Sequence, residues 1–377
     1  MFLLTILLIH SVSMSAFPIS SIISNKEKHT SSNILVTQFQ SRINKFPFIQ
    51  KDNFNSISTT DPTSYSFHPE NITQLDDVYH GSNQSFATEW WYFDATLNER
   101  YTVQFSIHIY DFFETGFARI QCNIYDEGIP IISTRTIEEM SSLTLSKKVP
   151  YITLDNMPIM TCNYDSSGAP DEYFITYSGS NFSFDLIYQS VTKGWKGKHS
   201  AGDWAVILPK ALVRGKLTID NLVHPVSGMG YHDHNWNVTI SAGMNYGWVW
   251  GKTLTKQHGI TWANIFETWY SESPLIVVNK DNGGYENIPA EQMSFSITKF
   301  KFFYGMILPD GFSILAQTDT CLLSVTIDVI DSDFKTVLGF INYWRYHIHT
   351  TGKIIIDNQT EIIDDYSLAE YICFRPY

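Results

Sequence analysis

Tyr101-Thr102-Val103-Gln104-Phe105-Ser106-Ile107-His108-Ile109 alternates apolar and polar residues without a break. A period of two sends successive side chains to opposite faces, so the segment reads as a half-buried β-strand. The same alternation recurs at Phe182, Phe184 and Leu186, at Met293, Phe295 and Ile297, and at Leu323, Val325, Ile327 and Val329. Asp126-Glu127-Gly128, Asp281-Asn282-Gly283-Gly284 and Pro309-Asp310-Gly311 carry turn residues between such runs. No long, well-capped amphipathic helix interrupts them. Many short strands with frequent turns predict an all-β chain of barrels or sandwiches, apolar inside and wet outside.

Composition agrees with a sizeable core. Of 377 residues, 44% are hydrophobic, 15% aromatic and 17% charged. The length suggests two domains. A net charge of −13 argues against nucleic acid, which selects a basic stripe.

Phe2 to Ile9 is a short apolar run followed by small residues. Residues 1–16 read as a secretory signal peptide, or as an uncleaved anchor, and place the protein outside the cell or at its surface. Residues 17–75 are rich in Ser, Asn, Thr and Gln and read as a polar linker or arm. Cys122, Cys162, Cys321 and Cys373 form no CxxC pair. Two fall in each half, allowing Cys122–Cys162 and Cys321–Cys373 bridges; the alternative is buried free thiols. N-x-S/T sequons stand at Asn71, Asn83, Asn181, Asn237 and Asn358.

No Walker loop, GxGxxG after a strand, HExxH or GxSxG is present. Three clusters stand out instead: Glu89-Trp90-Trp91-Tyr92-Phe93, the region of Trp204, and Gly230-Tyr231-His232-Asp233-His234-Asn235-Trp236 followed by Trp248-Val249-Trp250-Gly251. Read as a strand, the third puts Tyr231, Asp233 and Asn235 on one face and His232, His234 and Trp236 on the other. A carboxyl aimed into a barrel would be desolvated, which raises its pKa and lets Asp233 act as an acid. The alternative is a satisfied polar residue that pins a turn or joint. His232 and His234 are either metal ligands or a hydrogen-bonded pair, and the same choice applies to Arg345, His347 and His349. The tryptophans are either core or a π-rich wall able to hold a polyene or stabilise a carbocation. Glu89 either pairs with a cation or caps the entry to its strand.

These clusters resemble the carotenoid 1,2-hydratase family (hydroxyneurosporene synthases) with its AttH-like lipocalin relatives. The matching elements are Glu89 to Phe93, Gly230 to Trp236 and Trp248 to Gly251, in that order. Asn237 departs from the pattern, standing where the family usually has Gly. The resemblance implies two consecutive lipocalin-like antiparallel barrels, set at residues 76–240 and 241–377. It implies Asp233 as proton donor to an alkene, Tyr231 as its orienting partner and Trp204 as a substrate contact. Trp90, Trp236, Asn235, Trp248 and Trp250 complete the expected substrate wall, with His232, His234 and Glu89 in support.

The expected function is cofactor-independent and metal-free hydration of an isoprenoid or other apolar polyene. A cyclase that holds a folded polyene, a non-catalytic binder of a hydrophobic ligand and a structural surface protein are the alternatives. The expected partner is that small ligand, with peripheral membrane contact allowed and no nucleic acid.

Overall fold

The computed structural model describes residues 67–82, 87–112, 115–199, 202–238, 247–268, 271–281, 283–303, 306–337 and 341–373. The leader at 1–16, most of the polar arm and the Asn83 sequon lie outside them. The described residues are antiparallel β nearly throughout, as the alternation predicts.

The first sheet comprises β1 (Glu70–Asn71), β2 (Thr88–Leu97), β3 (Tyr101–Phe112), β4 (Thr115–Asp126), β5 (Ile129–Glu139), β6 (Leu143–Leu145), β7 (Tyr151–Leu154), β8 (Met157–Tyr164), β9 (Pro170–Ser178), β10 (Phe182–Ser190), β11 (Trp195–His199), β12 (Gly202–Ile219) and β13 (Leu222–Val238). The second comprises β14 (Gly247–Leu254), β15 (His258–Thr268), β16 (Ser271–Lys280), β17 (Tyr285–Ile288), β18 (Met293–Phe303), β19 (Met306–Gln317), β20 (Cys321–Val337), β21 (Ile341–Ile356) and β22 (Gln359–Cys373).

Both sheets are meanders curled on themselves. In the first, β2 pairs with β13, and the seam falls between the edge strands β5 and β6. In the second, β14 pairs with β22, and the seam falls between β17 and β18. One turn of 3-10 helix crosses each seam, at Met140–Ser142 and at Ala290–Gln292.

Tight turns with two left-handed residues set the hairpin registers. Asn98-Glu99, Asp155-Asn156, Asp220-Asn221 and Asp357-Asn358 all have positive φ, between 48° and 66°. Such turns match the right-handed twist of the strands they join, and Asn and Asp tolerate this backbone. Glu127-Gly128 behaves likewise, with φ of 50° and 81°. Pro309-Asp310-Gly311 does not turn the chain. It lies within β19, where the pairing with β18 shifts register, and Asp310 meets Lys301 at 2.9 Å. Irregular pairing accommodates a proline that a regular ladder would reject.

Three large apolar clusters stand out among the described residues. One fills the first curl, with Trp91, Phe93, Phe105, Ile107 and Tyr188. One fills the second, with Trp262, Phe312, Trp344 and Tyr371. The third lies between the sheets and joins Tyr92, Trp195, Trp204, Val206 and Tyr231 to Trp250, Ile265 and Leu275. The outer face of the first sheet is therefore covered here rather than wet. Gln104 and Ser106, on the polar face of the opening strand, are 1% and 2% exposed.

None of the four cysteines is bridged to another. Cys321 lies opposite Ile356 of β21, and Cys373 lies opposite Asn342 of the same strand. Fourteen positions of strand separate them, about 45 Å at the rise of a β-strand, and a disulfide spans about 6 Å between Cα atoms. Cys122 on β4 and Cys162 on β8 belong to strands that do not pair, and the Cys162 thiol donates to its neighbour's carbonyl.

Candidate active site

The site begins at Gly230. A Cβ there would meet the Asp94 carbonyl oxygen at 2.8 Å and the Tyr188 ring at 2.7 Å. Its absence lets β13 lie close against β2, which brings Asp233 opposite Tyr92 and Asn235 opposite Trp90. On the other side, β12 sets Val206 opposite Asp233 and Trp204 opposite Asn235.

The two faces of β13 divide the labour as the alternation predicts, but they point the other way. Tyr231 belongs to the cluster between the sheets, and Trp236 belongs to the interior of the first curl. Asp233 is thus aimed at the second sheet, not into a barrel. Alternation separates two faces of a strand without saying which is the lumen.

Asp233 is 5% exposed. Its Oδ2 accepts from the Tyr231 hydroxyl at 2.9 Å and from Trp204 Nε1 at 3.2 Å, and its Oδ1 accepts from Asn235 Nδ2 at 3.2 Å. Burial raises the Asp233 carboxyl to about 7; the Tyr231 and Trp204 hydrogen bonds oppose the rise, and the negative charges of Glu370 and Asp94 add to it. Tyr231 is pushed well above the usual phenol value by burial and by Asp233, which keeps it a donor.

The cavity beside Asp233 has a volume of about 60 Å³. Trp90, Tyr92, Trp204 and Asn235 wall it from the first sheet, and Trp248, Trp250, Ile265 and Glu370 from the second. An adjoining compartment of about 150 Å³ shares Trp90, Tyr92, Trp248 and Glu370 with it. Trp250, Glu370 and Arg345 stand directly across from one another on β14, β22 and β21. The Tyr92 hydroxyl accepts from Arg345 Nη1 at 2.7 Å and donates to Asp94 at 2.8 Å, and Lys252 Nζ reaches Asp94 at 2.6 Å.

The supporting face is anchored elsewhere. His232 places Nδ1 3.0 Å from the Tyr92 carbonyl and Nε2 3.1 Å from Asp77. His234 places Nδ1 3.0 Å from the Asp76 carbonyl and Nε2 2.9 Å from Glu89. Burial opposes the charge on His234, but the hydrogen bond and charge of Glu89, the charge of Asp77 and the Asp76 carbonyl together outweigh it and hold the imidazole above its usual value. Glu89 also accepts from the backbone N–H groups of His80 and Gly81, both at 2.9 Å. The two histidines and Glu89 therefore pin residues 76–81 against the strand behind the acid, as a hydrogen-bonded set. Among the described residues no group of three His, Cys, Asp or Glu side chains could hold a metal ion.

Of the expected substrate wall, Trp90, Trp204, Asn235, Trp248 and Trp250 line the cavity. Trp236 does not: it stacks on His80, with ring centroids 4.2 Å apart, on the far side of β13. It follows Asn235 in the chain, and adjacent strand residues face opposite ways. Asn237 has φ of 54° and donates to Asp203 at 2.6 Å. The departure from Gly thus retains the left-handed backbone, which Asn adopts more readily than most side chains. Of the other face-sharing residues, Arg345 lines the larger compartment, His347 packs on the Tyr125 ring at 4.4 Å, and His349 meets Asp364 at 2.6 Å. Tyr92, Asp94, Lys252 and Glu370 are further polar parts of the site; the first two lie in or beside the Trp-Trp cluster, but Lys252 and Glu370 carry no local signal.

No protein-family model and no curated protein matches this chain. Solved structures do. The AttH protein NE1406 of Nitrosomonas europaea superposes with a TM-score of 0.61 at 14% identity, over 82% of this chain and 98% of its own. CghA, solved with Sch210972, gives 0.57 at 8% identity, over 81% and 98%. Kievitone hydratase from Nectria haematococca gives 0.53 at 12% identity, over 87% and 98%. The likeness is one of fold: two consecutive lipocalin-like antiparallel sheets.

Proposed function

We propose that the protein is a cofactor-independent, hydratase-like enzyme that protonates a C=C bond of an isoprenoid or related apolar ligand. The observation that carries this reading is the buried Asp233 carboxyl, raised to about 7 and aimed into a tryptophan-walled cavity. A proton held there is available near neutral pH. Transfer to the less substituted alkene carbon leaves a cation on the other, and the indole faces of Trp90, Trp204 and Trp250 stabilise it. Water then adds to the cation, and the proton that this water loses returns to the Asp233 carboxylate or passes to Glu370. Tyr231 and Trp204 hold Oδ2, leaving Oδ1 as the oxygen that gives and recovers the proton.

The fold likeness to a kievitone hydratase supports this class of reaction. The enclosed volumes lie below the roughly 300–1,000 Å³ of drug-sized sites and favour a short prenyl chain over a whole carotenoid. Secretion, from the leader-like residues 1–16, fits a reaction that needs neither nucleotide nor reductant. The fold likeness to CghA raises cyclisation, in which the same walls would hold a folded polyene.

Asp233→Asn tests the proposal. Incubation with a library of prenylated compounds, followed by mass spectrometry, should give a product heavier by one water with the wild-type protein and none with the variant. Ligand retention should be equal in the two. Full turnover by the variant would refute the acid role, and retention without any product from the wild type would leave a binding protein.

A further inference from the structure

The larger compartment is chemically unlike the cavity at Asp233. Arg119, Arg135, Lys335 and Arg345 line it, against the single carboxylate of Glu370. Such a concentration of positive charge is unusual in a chain of net charge −13. Two of these cations are buried, Arg119 at 8% and Arg345 at 4% exposure. Among the described residues the Nε of each lacks a hydrogen-bond partner. A buried guanidinium N–H without an acceptor is costly, and a ligand oxygen removes the cost. Lys335 is already paired with Asp333 at 3.1 Å. Among the described residues no ion pair engages Arg119 or Arg135.

Their fields act on the neighbours. Burial, then Arg119, Arg345 and Arg135, drives His108 well below its usual value, so this ring adds no charge. Burial and Arg119 lower Arg135 itself, the mark of like charges held together.

Register ties this compartment to the acid. Across β13, β2, β3 and β4, Asn235, Trp90, His108 and Arg119 occupy successive paired positions. One row over, Asp233, Tyr92, Ser106, Gln121 and Arg135 do the same, ending on β5. Three strand spacings separate Asn235 from Arg119, about 14 Å. Trp90 and Trp248 border both compartments and form the apolar passage between them.

We infer that the ligand is an amphipathic acid whose anionic oxygens are held by Arg119, Arg135 and Arg345 while its alkene end lies against Asp233. The inference rests on the function proposed above for the reacting end, and it adds the head group and the length. An acidic head on an isoprenoid chain of about ten carbons extends about 9–10 Å, and a polar contact of about 3 Å at each end brings it to the register distance.

Calorimetric titration of the full chain with geranic acid, geraniol and geranyl phosphate tests it. The wild type should bind geranic acid or the phosphate at least about tenfold more tightly than geraniol, and the advantage should shrink as salt rises. The tighter of the two anions identifies the head group. Arg119→Gln and Arg135→Gln should each remove the advantage by weakening the two anions far more than geraniol. Arg135 is exposed, so its substitution tests the charge without opening the core. Asp233→Asn should keep the preference for the acid whether or not turnover occurs, so failure of the anion site and failure of the acid role read differently. Equal binding of geranic acid, geranyl phosphate and geraniol by the wild type, or a preference that survives both arginine substitutions, would overturn the inference.

Discussion

Asp233 costs the fold stability for the sake of a proton. Unfolded, an aspartate titrates at about 3.9, whereas folded Asp233 titrates at about 7. The folded state binds the proton more tightly, so this group's contribution is best at low pH. It falls as pH rises from about 4 to about 7, and it stays lost above that. Asp233→Asn should therefore leave stability near pH 4 little changed and raise it at pH 8, by roughly 2–4 kcal/mol in urea denaturation. A stability difference that did not change with pH would contradict the raised carboxyl. Turnover of the wild type should decline as pH passes through about 7, when the acid loses its proton.

The strand that carries Asp233 shows how far local pattern reaches. The i, i+2 spacing of Tyr231, Asp233 and Asn235 reads directly from the chain, and the three side chains are joined by hydrogen bonds. The same pattern does not reveal which face meets the lumen, because alternation is symmetric until the pairing partners are known. Trp236, which the resemblance places in the substrate wall, lies on the opposite face, as the alternation itself indicates. Glu370 and Arg345 reach the site only because β22 pairs with β14, across more than a hundred residues, and β21 pairs with β22 in turn. Pro309-Asp310-Gly311 carries turn residues, yet longer-range pairing keeps it in a strand. Gly230 is the local feature on which this strand's position depends. Gly230→Ala should force β13 away from the Asp94 carbonyl and from Tyr188, costing about 1–3 kcal/mol. Chemical denaturation reads the cost, and an unchanged midpoint would mean that the strands part freely.

The whole molecule depends on the contact between its sheets. The alternating runs made an all-β chain legible, whereas the covering of one sheet by the other did not show in them, since Gln104 and Ser106 read as solvent-facing. Polar bonds at this contact are specific. Trp195 Nε1 donates to Asn279 Oδ1 at 3.1 Å, and Asn279 Nδ2 donates to the Lys193 carbonyl at 2.7 Å. Both Trp195 and Asn279 are 0% exposed. Asn279→Ala leaves the indole N–H without this acceptor in a dry contact, a loss of about 1–3 kcal/mol. Calorimetry should show a lower melting temperature, with the single transition broadening or splitting as the sheets uncouple. An unaltered melting curve would show that apolar packing alone joins them.

The position of Asp233, on the outside of one curl and facing the other, bears on how such a protein can change over generations. The proton source belongs to the first half of the chain, while Trp248, Trp250, Arg345 and Glu370 belong to the second. Substitutions at Trp248 or Arg345 can therefore reshape the cavity walls while Asp233, Tyr231 and Trp204 keep their hydrogen bonds. Each interior, filled with its own side chains, is free to drift toward stability without touching either task.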